Sequence, residues 1–184
     1  MQGRRALDAG ASTGGFTDVL LKRGVGHVVA VDVGYGQLAW EIRQDSRVTV
    51  LDRTNVRHLT LKQVGEPVNL VVADLSFISL TLVIPALKEV TTSDADLVMM
   101  VKPQFEVGRE KLGAGGVVRD TQLRKQAVRD VALSAYELGL GCIDVVASPL
   151  PGPSGNVEYF LWLKQGAPII SDGVLNEAIA KGPQ

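Results

Sequence analysis

Arg5-Ala6-Leu7-Asp8-Ala9-Gly10-Ala11-Ser12-Thr13-Gly14-Gly15-Phe16-Thr17-Asp18 is the stretch from which the fold can be read. Its first five residues form a short strand-like run that closes on an acid and a small residue. Glycines at 10, 14 and 15 then turn the chain, and Gly14 to Lys22 carries a helical pattern. A strand passing through a glycine-rich turn into a helix opens an α/β sheet, and such sheets bind ligands beyond the carboxyl ends of their strands. The chain downstream repeats the alternation. His27-Val28-Val29-Ala30-Val31-Asp32 is a continuous β-branched run, as in a strand covered on both faces. A helix is predicted over 37–43 and strands over 48–51 and 68–74. A helix interrupted by Pro85 is predicted over 80–89, then a strand over 95–101.

A glycine loop around Gly113-Ala114-Gly115-Gly116 precedes a long helix, with Asp120 or Thr121 as its cap and Gly139 as its stop. Strands are predicted over 142–147 and 157–163. Leu150 to Asn156 is too short for a crossover helix, so these last two strands are expected to be antiparallel. Residues 171–181 read as a final short helix. The expected fold is one α/β domain over 1–184, doubly wound and Rossmann-like, with a seven-stranded sheet whose last strand is antiparallel.

Composition narrows the class. The 184 residues are 46% hydrophobic and 21% charged, with a net charge of −1, so no global basic field advertises a nucleic-acid partner. The single cysteine, Cys142, excludes an internal disulfide or a cysteine metal site, which fits a cytoplasmic protein. No apolar run approaches the roughly 18 residues that span a bilayer, and none reads as a signal peptide, so no membrane association is expected.

The glycine turn admits several chemistries. A phosphate-binding loop fails because Phe16 stands where its lysine belongs. Gly10-Ala11-Ser12-Thr13-Gly14 matches the nucleophile elbow of hydrolases, but that enzyme needs a late histidine, and the two histidines are His27 and His58. A dinucleotide site wants glycine at position 12 for close approach to a pyrophosphate. S-adenosylmethionine (SAM) carries no pyrophosphate, and the turn can admit its methionine part. Asp8, Gly10, Ser12, Thr13, Gly14 and Phe16 are the candidate cofactor residues there. Asp32 closes the second strand, where a carboxylate accepts the two hydroxyls of a ribose. Asp52 or Asn55, after the third strand, is a candidate for the adenine, although acids and amides in such turns usually serve as caps.

Three polar residues stand at strand edges where a covered sheet would be apolar. Asp74 ends the fourth strand, Lys102 the fifth, and Glu158 begins the seventh. They are expected to converge on one rim beside the cofactor, as a catalytic set with no metal; Asp74 is also a candidate cofactor contact. A buried ion pair is the plainer reading, but charged clusters at a cleft are functional candidates.

The runs Asp8 to Asp18, Asp32 to Leu38, Ala73-Asp74-Leu75-Ser76-Phe77-Ile78-Ser79, Val101-Lys102-Pro103-Gln104-Phe105-Glu106 and Ser148 to Tyr159 resemble the TlyA, or haemolysin A, family. The resemblance covers nearly the whole chain. It implies an FtsJ-like catalytic domain that transfers methyl groups from SAM to ribose 2′-hydroxyls of cytidines in ribosomal RNA, with ribosomal subunits as partners. It also implies a Lys-Asp-Lys-Glu set, of which Asp74, Lys102 and Glu158 match the last three. The first lysine and the family's amino-terminal S4 RNA-binding domain have no counterpart in this sequence. The sequence therefore reads as an excised catalytic domain, expected to fold yet to be nearly inactive on rRNA.

In this reading Lys102 assists the ribose hydroxyl, either accepting its proton as a neutral amine or stabilising the alkoxide as a cation. Residues 101–130 carry seven Lys and Arg against four acids, and Lys125 and Arg129 lie on the polar side of the long helix as candidate phosphate contacts. Two alternatives stand beside it. A base methyltransferase is disfavoured because Asp74-Leu75-Ser76-Phe77 departs from the Asn/Asp-Pro-Pro-aromatic pattern of enzymes acting on exocyclic amines. A membrane-active haemolysin is disfavoured because no basic amphipathic membrane helix is visible.

Overall fold

The computed structural model describes residues 1–152 and 154–183. Seven strands, β1 (Arg5–Ala9), β2 (His27–Val31), β3 (Val48–Leu51), β4 (Val68–Ala73), β5 (Thr91–Val101), β6 (Leu140–Ala147) and β7 (Tyr159–Gln165), form one sheet in the order β3-β2-β1-β4-β5-β7-β6. β1 pairs parallel with β2 and β4, and β2 with β3. β6 and β7 pair antiparallel, with a register irregularity between Cys142 and Asp144. The mixed seven-stranded sheet with its antiparallel last strand is as the sequence implies.

Seven α-helices follow the alternation: α1 (Gly15–Lys22), α2 (Trp40–Arg43), α3 (Leu61–Val64), α4 (Ile84–Glu89), α5 (Pro103–Glu106), α6 (Thr121–Glu137) and α7 (Asp172–Lys181). Two compact units divide the chain: Met1–Leu75 with Val83–Leu97, and Ser76–Leu82 with Val98–Gln184.

In the first unit, Leu7, Val29 and Val71 come from adjacent parallel strands and are fully buried. This is why Val28 to Val31 of β2 and Leu70 to Ala73 of β4 read as unbroken apolar runs. The predicted helix over 37–43 shrinks to Trp40–Arg43, because Ala39 at ψ 140° is extended and Leu38 is drawn into a small core with Ala11 and Ala30. Pro85 does not interrupt a helix. It sits in the first turn of α4, where its missing N–H costs nothing, after a 3-10 turn over Leu80–Leu82.

In the second unit, Asp120 caps α6 by accepting from the Gln122 amide at 2.7 Å, and Gly139 follows in the left-handed region at φ 84°. Ser171 caps α7 at the Val174 amide. Several predicted strand bounds move: β5 starts at Thr91, β6 at Leu140 and β7 runs from Tyr159 to Gln165, while β2 and β4 stop one residue before Asp32 and Asp74. Glu158 therefore does not begin β7 but precedes it. Asn156 explains the shift, since its buried side chain ties this approach segment to residues 116–118. Pro153, within the last of the family-like runs, lies outside the described residues.

Candidate active site

The glycine turn of the first unit is built by its own backbone. The Gly10 and Ala11 amides both donate to the Val31 carbonyl, at 2.9 and 3.1 Å, which folds the turn onto the end of β2. Gly10 adopts φ 85°, and a Cβ there would sit 2.3 Å from the Asp74 carbonyl oxygen. Position 10 thus demands glycine for both conformation and space. Gly14 precedes α1 at φ 102°, and its amide donates to the Ala11 carbonyl at 2.7 Å. Ser12 takes φ 47°, and its amide donates to Asp32 Oδ2 at 2.8 Å, while the Gly34 amide donates to Asp32 Oδ1 at 2.7 Å. One backbone donor on each oxygen fixes the Asp32 carboxylate just past β2.

Asp8 is fully buried, and Thr17 Oγ1 donates to its Oδ2 at 2.6 Å. Its Oδ1 is enclosed without a hydrogen bond from the protein. Burial pushes this carboxyl up to about 6 against the opposing Thr17 bonds, and the charges of Asp74 and Asp32 add to the rise. The Asp74 amide donates to the Ala9 carbonyl at 3.0 Å, which seats Asp74 beside the turn. Asp8, Gly10, Ser12, Asp32 and Asp74 are therefore brought together. Thr13 and Phe16 flank them, exposed and half-buried; the Thr13 carbonyl accepts from the Ala39 amide at 3.1 Å. Asp52 is ion-paired with Arg43 at 2.8 Å, which lowers its pKa, and also accepts from the Gly36 amide. Asn55 caps a 3-10 turn at the Arg57 amide.

In the second unit, Lys102 follows β5 and its Nζ donates to Ser76 Oγ at 3.2 Å. Glu158 is buried and accepts from Gln104 Nε2 at 3.3 Å, and its Oε1 would lie 2.8 Å from a Cβ at Gly152. Of the two candidate phosphate contacts, Lys125 and Arg129, the second is engaged within the protein, as is Arg124 of the same basic stretch. Arg124 is buried, donating to the Val118 and Arg119 carbonyls at 2.9 Å each, and Arg129 pairs with Asp172 at the start of α7.

Sequence reasoning missed Phe77. Its ring is 91% exposed, its φ is 63°, and it stacks at 5.1 Å, tilted 48°, on Phe105. A bulky aromatic held in the left-handed region and turned outward is strained, which makes it a candidate functional residue. Only its place three residues after Asp74 could have signalled this. Gln104 and Glu106 were also missed as partners of the site. Glu106 accepts from Ser79 Oγ and the Leu80 amide, at 2.5 and 2.9 Å, and burial, with Asp130 adding, raises its pKa. Among the described residues, no group of three or more His, Cys, Asp or Glu could hold a metal ion, and no helix is long and apolar enough to cross a membrane.

The chain is 61% identical, over 98% of its length and 69% of the relative's, to the 16S/23S rRNA (cytidine-2′-O)-methyltransferase TlyA of Mycobacterium tuberculosis. A crystal structure of a Lactococcus lactis protein bearing the hemolysin name superposes with a TM-score of 0.92 at 39% identity, covering 98% of this chain and 88% of that one. The N-methyltransferase NodS of Bradyrhizobium japonicum, solved with S-adenosyl-L-homocysteine, shares the fold at a TM-score of 0.63 and 14% identity, over 89% of this chain and 79% of its own. The model of one family, FtsJ-like methyltransferase, matches residues 1–165, from before β1 to the end of β7, and the chain belongs to that family.

Proposed function

We propose that this protein transfers a methyl group from SAM to a ribose 2′-hydroxyl of ribosomal RNA, that the nucleotide is a cytidine, and that it works in the cytoplasm where ribosomal subunits are made. Residues 1–184 serve as one catalytic domain, since the family model runs through both units. Lys102 carries the reading: it places an amine after β5, hydrogen-bonded to Ser76, where hydroxyl chemistry needs a base or a cation. The 61% identity to a cytidine-2′-O-methyltransferase supports the choice of substrate.

The residues of the first unit fit the cofactor. Gly10 keeps the turn flush against Asp74, Asp32 is held by two amides for a ribose diol, and the enclosed Oδ1 of Asp8 faces no protein donor. Asp8, Asp32 and Asp74 together favour a cationic ligand. Bound SAM supplies an electrophilic methyl group on a sulfonium, a good leaving group. Lys102 would assist the ribose hydroxyl, taking its proton as a neutral amine or stabilising the alkoxide as a cation. Glu158, held by Gln104, sets the charge balance around Lys102. Asp74 orients the reacting groups. Phe77 offers its exposed face to the target base; stacking of this kind contributes about 1–3 kcal/mol per base. Arg53, 4.4 Å over the exposed ring of Tyr35, adds a second aromatic and basic surface suited to RNA.

The test uses ribosomal RNA and subunits treated with the full-length protein and labelled SAM. A 2′-O-methyl group blocks alkaline cleavage at the 3′ phosphodiester, whereas a base methyl does not. Label in an alkali-resistant dinucleotide beginning with cytidine is the expected result. Label released entirely as mononucleotides would replace ribose methylation with base methylation.

A further inference from the structure

The single turn of α5 touches more of the second unit than its length suggests. Lys102, at its cap, reaches Ser76. Gln104 reaches Glu158, Phe105 packs on Phe77, and Glu106 binds Ser79 and Leu80. Three of these four contacts fall on the segment 76–80, the one that carries Phe77 in its left-handed conformation. A bulky residue at φ 63° persists only where its surroundings over-determine it. The Phe77 ring gains little from burial, so the restraint comes from its neighbours in the chain.

Glu106 supplies the strongest of those restraints. Its two oxygens accept one side-chain and one backbone donor from consecutive residues, Ser79 and Leu80, and hydrogen bonds to a carboxylate are about twice as strong as neutral ones. Ser79 is locked further by Thr81, whose hydroxyl lies 2.7 Å from its own and whose amide donates to it at 3.2 Å. The Lys102 contact with Ser76 is longer and more exposed. Both the burial of Glu106 and the charge of Asp130 work against its ionisation, so the carboxylate holds its place through those two donors.

We infer that Glu106 is a positioning residue for RNA: by clamping Ser79 and Leu80 it holds Phe77 outward, ready to stack on the target base. This inference rests on the reading of Phe77 as a base platform. Glu106 touches neither substrate nor cofactor in this role. A purely structural role would cost stability alone. The clamp predicts instead a loss confined to RNA engagement, with cofactor binding and chemistry retained.

The test separates the clamp from the function. The four phenylalanines are replaced by 4-fluorophenylalanine, and Phe77→Leu and Phe105→Leu assign their fluorine resonances. In Glu106→Ala the Phe77 resonance should move toward that of a mobile ring. The KM for RNA should rise about tenfold, with kcat and S-adenosylhomocysteine affinity nearly unchanged. Glu106→Gln offers a carbonyl to the Leu80 amide and an amide to the Ser79 hydroxyl, and should restore both readings. Ser79→Ala, which removes half of the clamp, should shift the same resonance partway and serves if Glu106→Ala does not fold. An unmoved Phe77 resonance in Glu106→Ala or Ser79→Ala overturns the clamp whatever the activity. A moved resonance with an unchanged KM keeps the clamp but overturns its role in RNA binding, and a full-length wild-type protein, used for every RNA measurement, that methylates no RNA overturns the function on which that role rests.

Discussion

The turn at residues 10–14 and the turn at residues 76–80 both follow strands of the sheet, and both hold residues at positive φ, yet they reach that shape by opposite routes. The first uses glycine at 10 and 14, with the small Ser12 between them at φ 47°, and ties itself down with its own amides, on Val31, Ala11 and Asp32. The second has no glycine at its left-handed position. It places Phe77 there and relies on α5, some 25 residues further on, to hold it. A turn built from glycine is written in its sequence. A turn imposed from a distance is strained, and such strain persists only where its surroundings over-determine it.

Four measurements press on this contrast. The largest effect is expected at Lys102, next to the strained turn. Lys102→Ala should lower methyl transfer about 10²–10⁴-fold while S-adenosylhomocysteine binding by calorimetry stays within about twofold. Retained turnover would take the lysine out of the chemistry and leave the second turn without a catalytic neighbour.

At the self-supported turn, Gly10→Ala meets both a left-handed φ and a carbonyl 2.3 Å from the new methyl group. A loss of about 2–4 kcal/mol in urea unfolding is expected, from backbone strain and overpacking together. A change below about 1 kcal/mol would show that this turn is looser than its geometry implies.

Asp8 makes the same turn sensitive to pH. Its folded pKa, about 6, lies above the ordinary 3.8, so the folded state binds its proton more tightly. Its contribution to stability is therefore fully present below about pH 4 and is lost as pH rises through 6, on the order of 3 kcal/mol in all. Unfolding midpoints followed from pH 4 to 7 should fall more steeply for the wild type than for Asp8→Asn. Parallel curves would place the titration elsewhere.

The smallest effect on the fold is expected at Phe77. Phe77→Gly relieves the left-handed strain and removes an exposed ring, so stability should shift by less than about 1 kcal/mol. The KM for RNA should nevertheless rise roughly 5- to 150-fold, the value of one lost stack. A large loss of stability with unchanged KM would make Phe77 a structural residue and erase the distinction between the two turns.

The sequence by itself determined the alternation of strands and helices, the antiparallel last pair, the glycine turn and the acids that follow the strands. Each of these is a local matter. β-branched runs such as His27–Val31 pack on both faces of a sheet, and glycine is where a backbone must turn left-handed. It also singled out Lys102 and Glu158, because charge at the edge of an apolar strand stands out in one dimension. Tertiary structure alone decided the rest. Residues 37–39 left the predicted helix because Leu38 found a core. Glu158 fell outside β7 because Asn156, a residue in the same loop, bonds to residues 116–118. Of Lys125 and Arg129, which looked like an RNA-facing pair of charges, Arg129 is consumed by Asp172. Phe77 is exposed, and Glu106 is its restraint, through contacts between residues more than 25 positions apart. Local propensity is read along the chain, but a side chain's partner is set by which distant segments the sheet brings side by side, and no spacing in the sequence encodes that distance.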